Sequence, residues 1–186
     1  GQNHPLFVIA NSWNDIRLGA TLENILKRYE HPLLEHYFLK NGLGGTPGMQ
    51  DHIYDRRTNL NVAPKGTQYV GIRQGVMLRT RSSVKENPYL AYSSLSLENV
   101  ASKMSYPWIK VAEVLFCRAE GALRGWNMGG TAQEFYEAGI RRGFSDIGEV
   151  GKYFSYKEKT SVKDVDYVDY FDQDNNIEGR VDVGVK

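Results

Sequence analysis

Cysteine is nearly absent from this chain of 186 residues, since Cys117 is the only one. An intrachain disulfide is therefore excluded, and cysteine usage does not indicate a cellular compartment. An excess of one charge is also missing, because 23 basic and 22 acidic residues leave a net charge of +1. The basic residues are scattered along the chain, so the sequence does not predict a surface for nucleic acid or an anionic membrane.

Long apolar runs are missing as well. No segment is apolar for long enough to span a bilayer, and neither a signal peptide nor a lipidation motif is present. The chain begins with Gly1 and stops at Lys186 within an alternating, strand-like pattern. We therefore expect residues 1–186 to form one portion of a larger protein.

Motifs for catalysis are also absent. The sequence has no G-x-S-x-G, P-loop or G-x-G-x-x-G pattern, and the glycine-rich run 42–48 lacks the G-K-[S/T] ending of a phosphate loop. A glycosidase remains an alternative, but it needs two carboxyl groups about 5–10 Å apart, and no pattern places such a pair. We predict no catalytic residue and a protein that is not an enzyme.

Metal-binding patterns are incomplete. His31 and His36 resemble the zinc motif H-x-x-E-H with one residue too many, so we predict no zinc site. Asp172, Asp174 and Asn176 carry side-chain oxygens at every second position, as in a calcium-binding loop. The rest of the segment does not match the spacing of an EF-hand. A polar turn is the alternative interpretation there, and calcium is the single cofactor candidate.

The most regular pattern lies in residues 107–144, where two amphipathic helices are predicted. The first begins at Pro107 with Ser105 as N-cap and ends before Gly125 as the C′ residue. Its apolar arc is wide, which predicts a helix sunk into a core. That arc comprises Trp108, Ile109, Val111, Ala112, Leu115, Phe116, Ala119, Ala122 and Leu123.

The second predicted helix opens with the capping box Thr131–Glu134. Small residues dominate its apolar face, and Glu137 and Arg141 have the i,i+4 spacing of an ion pair. Because the connecting loop is short, the two helices should form an antiparallel hairpin. Such a hairpin resembles a tetratricopeptide (TPR) unit.

The N-terminal third predicts another helix, from the capping box at Ser12 to Tyr29. Residues 33–39 fit either a short helix or a strand. A long loop follows over 41–67, and Tyr69 to Arg73 alternates like a short strand.

Aromatic residues accumulate in and beside the irregular segments. A planar ring can present its apolar face to a sugar while neighbouring polar groups bind the hydroxyls. On this chemistry Arg73, Tyr89 and Tyr92 are our candidate ligand-binding residues. Packing against the domain is the alternative for each ring.

Residues 112–140, AEVLFCRAEGALRGWNMGGTAQEFYEAGI, resemble the last TPR-like hairpin of the SusD/RagB family. Weaker similarities follow the same order at 26–38 and 69–75. The resemblance implies a single SusD-like C-terminal portion over 1–186. The implied fold is mainly α, a TPR-like helical hairpin scaffold with long irregular loops and a few short β-strands.

The resemblance also implies a function. SusD-like proteins are lipoproteins on the outward face of the outer membrane, and they bind glycans or other nutrients for a SusC-like TonB-dependent transporter. The lipid anchor and earlier TPR units would lie outside this chain. A TPR-like module that docks to a membrane partner without binding a small ligand is the alternative function.

Overall fold

The computed structural model describes residues 4–13, 16–44, 64–74, 88–98, 107–159, 161–163 and 165. This part of the chain is rich in helix, and its β-structure is limited to isolated bridges. The helices are α1 (Pro5–Val8), α2 (Ala20–Arg28), α3 (Leu33–Tyr37), α4 (Val111–Leu123), α5 (Ala132–Asp146) and α6 (Val150–Lys157). A π-helical segment spans Ile9–Trp13, and a 3-10 helix spans Pro88–Ala91. The predicted mainly α fold is confirmed.

Contacts divide the chain into two compact units. The first holds residues 1–104 and 163–186, and the second holds residues 105–162. That residues 1–186 are one portion of a larger chain stays a prediction.

The first unit is built around α2 and α3. Leu18, Leu26 and Leu34 are buried together and form its apolar core, against which Phe38 and Tyr69 pack. Of the two alternatives for residues 33–39, the structure shows the short helix, which ends at Tyr37. Phe38 is extended and forms a β-bridge with Leu95.

The predicted helix from Ser12 to Tyr29 is wrong at residues 16–19, which are not helical. Arg17 and Gly19 are extended and form β-bridges with Ser94 and Ile72, so α2 begins only at Ala20. Backbone pairing with distant segments therefore overrides the local capping pattern at this point.

The second unit contains the predicted hairpin. Phe116 of α4 packs on Gly139 of α5, and the Arg118 guanidinium lies 4.0 Å from the centre of the Phe135 ring. Later α4 residues thus meet earlier α5 residues, which makes the pair antiparallel. Helix α6 follows α5 in this unit, and Phe144 of α5 packs against Tyr153 of α6.

The two ends of α4 differ in how well the sequence predicts them. Gly125 has φ +81°, the left-handed conformation that glycine adopts readily, and α4 ends there as predicted. The start is wrong, because Lys110 is extended (φ −90°, ψ 143°) and the helix begins at Val111 instead of Pro107.

The wide apolar arc of α4 is not sunk into a core. Ala112 and Ala119 are buried, whereas Leu123 is 80% exposed and Trp108, before the helix, is 92% exposed. The reason is that α5 covers one side of α4 only, within the residues that the structure describes.

Candidate functional site

Three backbone segments of the first unit meet beside the N-terminus of α2. Leu18 N–H donates to Ser93 O at 2.9 Å, and Ile72 N–H donates to Leu18 O at 2.7 Å. Ala20 N–H then donates to Ile72 O at 2.8 Å, and Ser93 N–H to Val70 O at 2.9 Å. These bonds hold the segment that carries Arg73 beside the segment that carries the two candidate tyrosines. We call these three joined segments, residues 18–20, 70–73 and 89–93, the platform.

A buried carboxylate fastens the platform to α2. Glu23 is buried, and its carboxylate accepts hydrogen bonds from Gly71 N–H at 2.5 Å and from Lys27 Nζ. Lys27 Nζ also donates to Tyr69 O at 2.7 Å. A buried charge with a cation and a backbone donor as partners is a stable arrangement. Sequence reasoning missed Glu23, although its i,i+4 spacing to Lys27 was a usable signal.

Asn41 orders the chain that leads into the platform. Its side chain is fully buried, and Nδ2 donates to Pro64 O at 3.1 Å. Oδ1 accepts from Thr67 N–H at 3.1 Å and from Gln68 N–H at 2.9 Å. One amide therefore fixes residues 64–68. The sequence gives no signal for this role, because the bonded groups are more than 20 residues away.

The structure places the three predicted ligand residues in this platform. Arg73 is half-buried directly after Ile72, and Tyr89 is half-buried in the 3-10 helix, with its carbonyl accepting from Arg17 Nε at 2.7 Å. Tyr92 is 0% exposed. Burial favours packing as the role of Tyr92, and ligand contact by any of the three stays a prediction.

Tyr69 contributes to the core of the first unit and to the platform at once. It packs against the Leu18, Leu26 and Leu34 cluster. Desolvation by burial raises its pKa, and the negative charge of Glu35 adds to that shift. The phenol therefore stays protonated and neutral well above neutral pH.

The calcium candidates Asp172, Asp174 and Asn176 lie outside the described residues. Across the described ranges, no group of three or more His, Cys, Asp or Glu side chains is placed to hold a metal ion. In the same part of the chain, no helix is both long and apolar enough to cross a membrane.

The described part of the chain is rich in helix, and in its first unit the irregular platform is hydrogen-bonded to α2. The family model for SusD-like proteins, the SusD and RagB outer membrane lipoproteins, matches residues 1–183. The chain belongs to this family.

Solved structures agree with the family match. A chitin-binding SusD homolog from Flavobacterium johnsoniae is 33% identical, with a TM-score of 0.72 over 96% of this chain and 31% of its own. A SusD homolog from Bacteroides ovatus is 27% identical, with a TM-score of 0.74 over 100% of this chain and 34% of its own. One from Bacteroides vulgatus is 27% identical, with a TM-score of 0.71 over 91% and 29%.

The chain thus spans about a third of the length of the structures that it matches. A comparison with curated proteins gave no match.

Proposed function

We propose that this chain is part of a non-catalytic glycan-binding lipoprotein at the cell surface. The observation that carries the proposal is the match, at 33% identity over 96% of this chain, to a chitin-binding SusD homolog. Chitin oligosaccharides are therefore the first ligands to test.

In this proposal the platform supplies the sugar contacts. The Tyr89 ring offers an apolar face for stacking, and the Arg73 guanidinium donates hydrogen bonds to sugar hydroxyls. Both side chains are half-buried, so each is held in place while part of it reaches solvent. Tyr92 is buried, and its N–H donates to Tyr89 O at 3.2 Å, which closes the turn that carries Tyr89.

The bound glycan would pass to a SusC-like TonB-dependent transporter in the outer membrane. The protein would face outward, attached through a lipid anchor outside this chain. The family description as outer membrane lipoproteins supports this location.

Calorimetric titration of the full-length protein with chitin hexasaccharide tests the proposal. Tyr89→Ala should weaken binding about 3–10-fold through lost stacking, and Arg73→Ala about tenfold through lost charged hydrogen bonds. Tyr136→Ala is the matched control, because this ring is 56% exposed on α5 in the other unit. If no polysaccharide binds and the protein still co-purifies with a transporter, glycan binding is wrong.

A second function, docking to a protein partner without a small ligand, is favoured by the exposed apolar side chains near α4. Trp108 and Ile109 before α4 and Leu123 at its end are largely exposed, and exposed large apolar side chains can mark a surface for a protein partner. The test is an Ile109→Ser, Leu123→Ser double variant. If it keeps its glycan affinity but no longer co-purifies with the transporter, both functions coexist.

A further inference from the structure

The second unit has an open cleft that the glycan proposal does not use. Its volume is about 310 Å³, and it lies between α4, α5 and the start of α6. Its lining comprises Leu115, Ala138, Val150, Arg141, Arg142 and Ser145. Leu115, Ala138 and Val150 are aliphatic, and we call these three lining residues the floor. The polar groups of the lining are two guanidiniums and one hydroxyl.

The sequence predicts an ion pair between Arg141 and Glu137, but the described residues do not form it. Glu137 instead accepts from Lys157 Nζ at 2.5 Å and from Gln133 Nε2 at 2.8 Å. The hydrogen bond from Lys157 is the main reason that the pKa of Glu137 is lowered. Among the described residues, Arg141 is left with no acceptor.

Arg142 differs from its neighbour. Its Nε donates to Asp146 at 2.8 Å, so its charge is already balanced on α5. The cleft therefore presents one net positive charge, at Arg141, above an apolar floor. A ligand that matches both features has a carboxylate close to an apolar group.

The lining also distinguishes between classes of ligand. Sugars are held by stacking on aromatic rings, and this cleft is lined by no aromatic side chain. Aliphatic floors accept aliphatic or aromatic side chains of peptides. We propose that this cleft docks a peptide segment of a protein partner in which an apolar side chain is flanked by Asp or Glu. The proposal does not depend on glycan binding.

Fluorescence polarisation with two labelled synthetic peptides tests it on the full-length protein. Both peptides carry a central Leu, flanked by Asp in one and by Lys in the other. At about 50 mM salt, where exposed charges are weakly screened, the Asp peptide should bind and the Lys peptide should not. Arg141→Glu should reverse that preference, which a misfolded variant could not do.

Three further variants sharpen the assignment. Ala138→Phe fills the floor and should weaken binding of the Asp peptide at least about tenfold. Lys157→Ala releases Glu137 to pair with Arg141 and should weaken it up to about fivefold. Arg124→Glu reverses an exposed charge at the end of α4 and should leave it unchanged.

Equal affinity for the two peptides would overturn the proposal. It would also be overturned if neither Arg141→Glu nor Ala138→Phe changed the affinity for the Asp peptide. Binding of a glucuronate oligosaccharide through Arg141, with neither peptide bound, would also overturn it. Chitin titrations on the same variants should be unchanged, which separates failure here from failure of the glycan proposal.

Discussion

Gly71 shows at the scale of one residue why the platform holds its shape. A Cβ atom there would lie 2.7 Å from the Gly19 carbonyl carbon and 2.7 Å from Ala20 N. Both are backbone atoms fixed by bridging hydrogen bonds, so the segment would have to move. We predict that Gly71→Ala lowers the free energy of unfolding by about 1–3 kcal/mol in urea titrations.

Gly143→Ala is the control for that prediction. Gly143 lies inside α5, and apart from its chain neighbours and its own helix backbone no atom lies within 4 Å of an added Cβ. Alanine should raise stability there by roughly 0.5–1 kcal/mol, since glycine is the poorer helix former. A Gly71→Ala variant at least as stable as the wild type would contradict the argument from close packing of Gly71 against Gly19.

His31 provides a pH-dependent contribution at the same scale. Its Nδ1 accepts from Leu33 N–H at 3.1 Å, and burial lowers its pKa from the usual 6.5. The unfolded chain therefore takes up the proton first, so stability falls as pH drops below 6.5 and levels off beneath the lowered pKa.

We predict that His31→Asn removes this component, because an amide oxygen accepts the same bond without titrating. Urea midpoints measured between about pH 7.5 and about pH 5 should fall less in the variant than in the wild type. An equal fall in both proteins would assign the pH dependence to other groups.

At the scale of one element, the start of α5 follows from its own sequence. Thr131 Oγ1 accepts from Glu134 N–H at 3.2 Å, and Glu134 Oε2 accepts from Thr131 N–H at 2.8 Å. The predicted capping box is confirmed. We predict that Thr131→Ala lowers the stability of the start of α5 by about 1 kcal/mol. Faster hydrogen exchange of the Glu134 amide would measure this loss.

The capping box also has a pH signature. The backbone hydrogen bond from Thr131 is the main cause that lowers the pKa of Glu134, and the Thr131 hydroxyl adds to it. The stabilisation is present above the usual pKa of 4.5 and is lost as pH falls through the lowered value. Glu134→Gln should keep the hydrogen-exchange protection at the start of α5 at neutral pH. In this variant the protection should no longer fall in acid.

These elements show what the sequence can predict about the fold. The capping box of α5 and the Gly125 stop of α4 are local, because every group involved lies within a few residues. The start of α2 at Ala20 is not local, since it is set by bridges to residues more than 50 positions away. Helical periodicity at Ser12 could not reveal that competition.

The candidate site likewise has features that the sequence predicts and features that depend on distant segments. Ring chemistry was enough to propose Tyr89, but it could not separate half-buried Tyr89 from buried Tyr92 three residues later. Burial depends on which distant segments pack there, and a single sequence does not encode that openly. Asn41 was missed for the same reason, because its partners lie at residues 64–68. The spacing of Glu23 to Lys27 is local, but the bond from Gly71 N–H that ties Glu23 to the platform is not.

At the scale of the whole molecule, the balance of charge separates the two proposed ligands. The chain has a net charge of +1, and chitin oligosaccharides are neutral. Their affinity should therefore change less than about twofold between about 50 mM and about 500 mM salt.

The Asp-flanked peptide should behave in the opposite way, because its carboxylates meet the unpaired Arg141 guanidinium at an exposed site. Screening over the same salt range should weaken its binding several-fold, up to about tenfold, and the Arg141→Ala variant should lose most of that salt dependence. Parallel titrations of the full-length protein measure both ligands under identical conditions. A chitin affinity that falls steeply with salt would place charge, rather than stacking at Tyr89, at the centre of glycan binding.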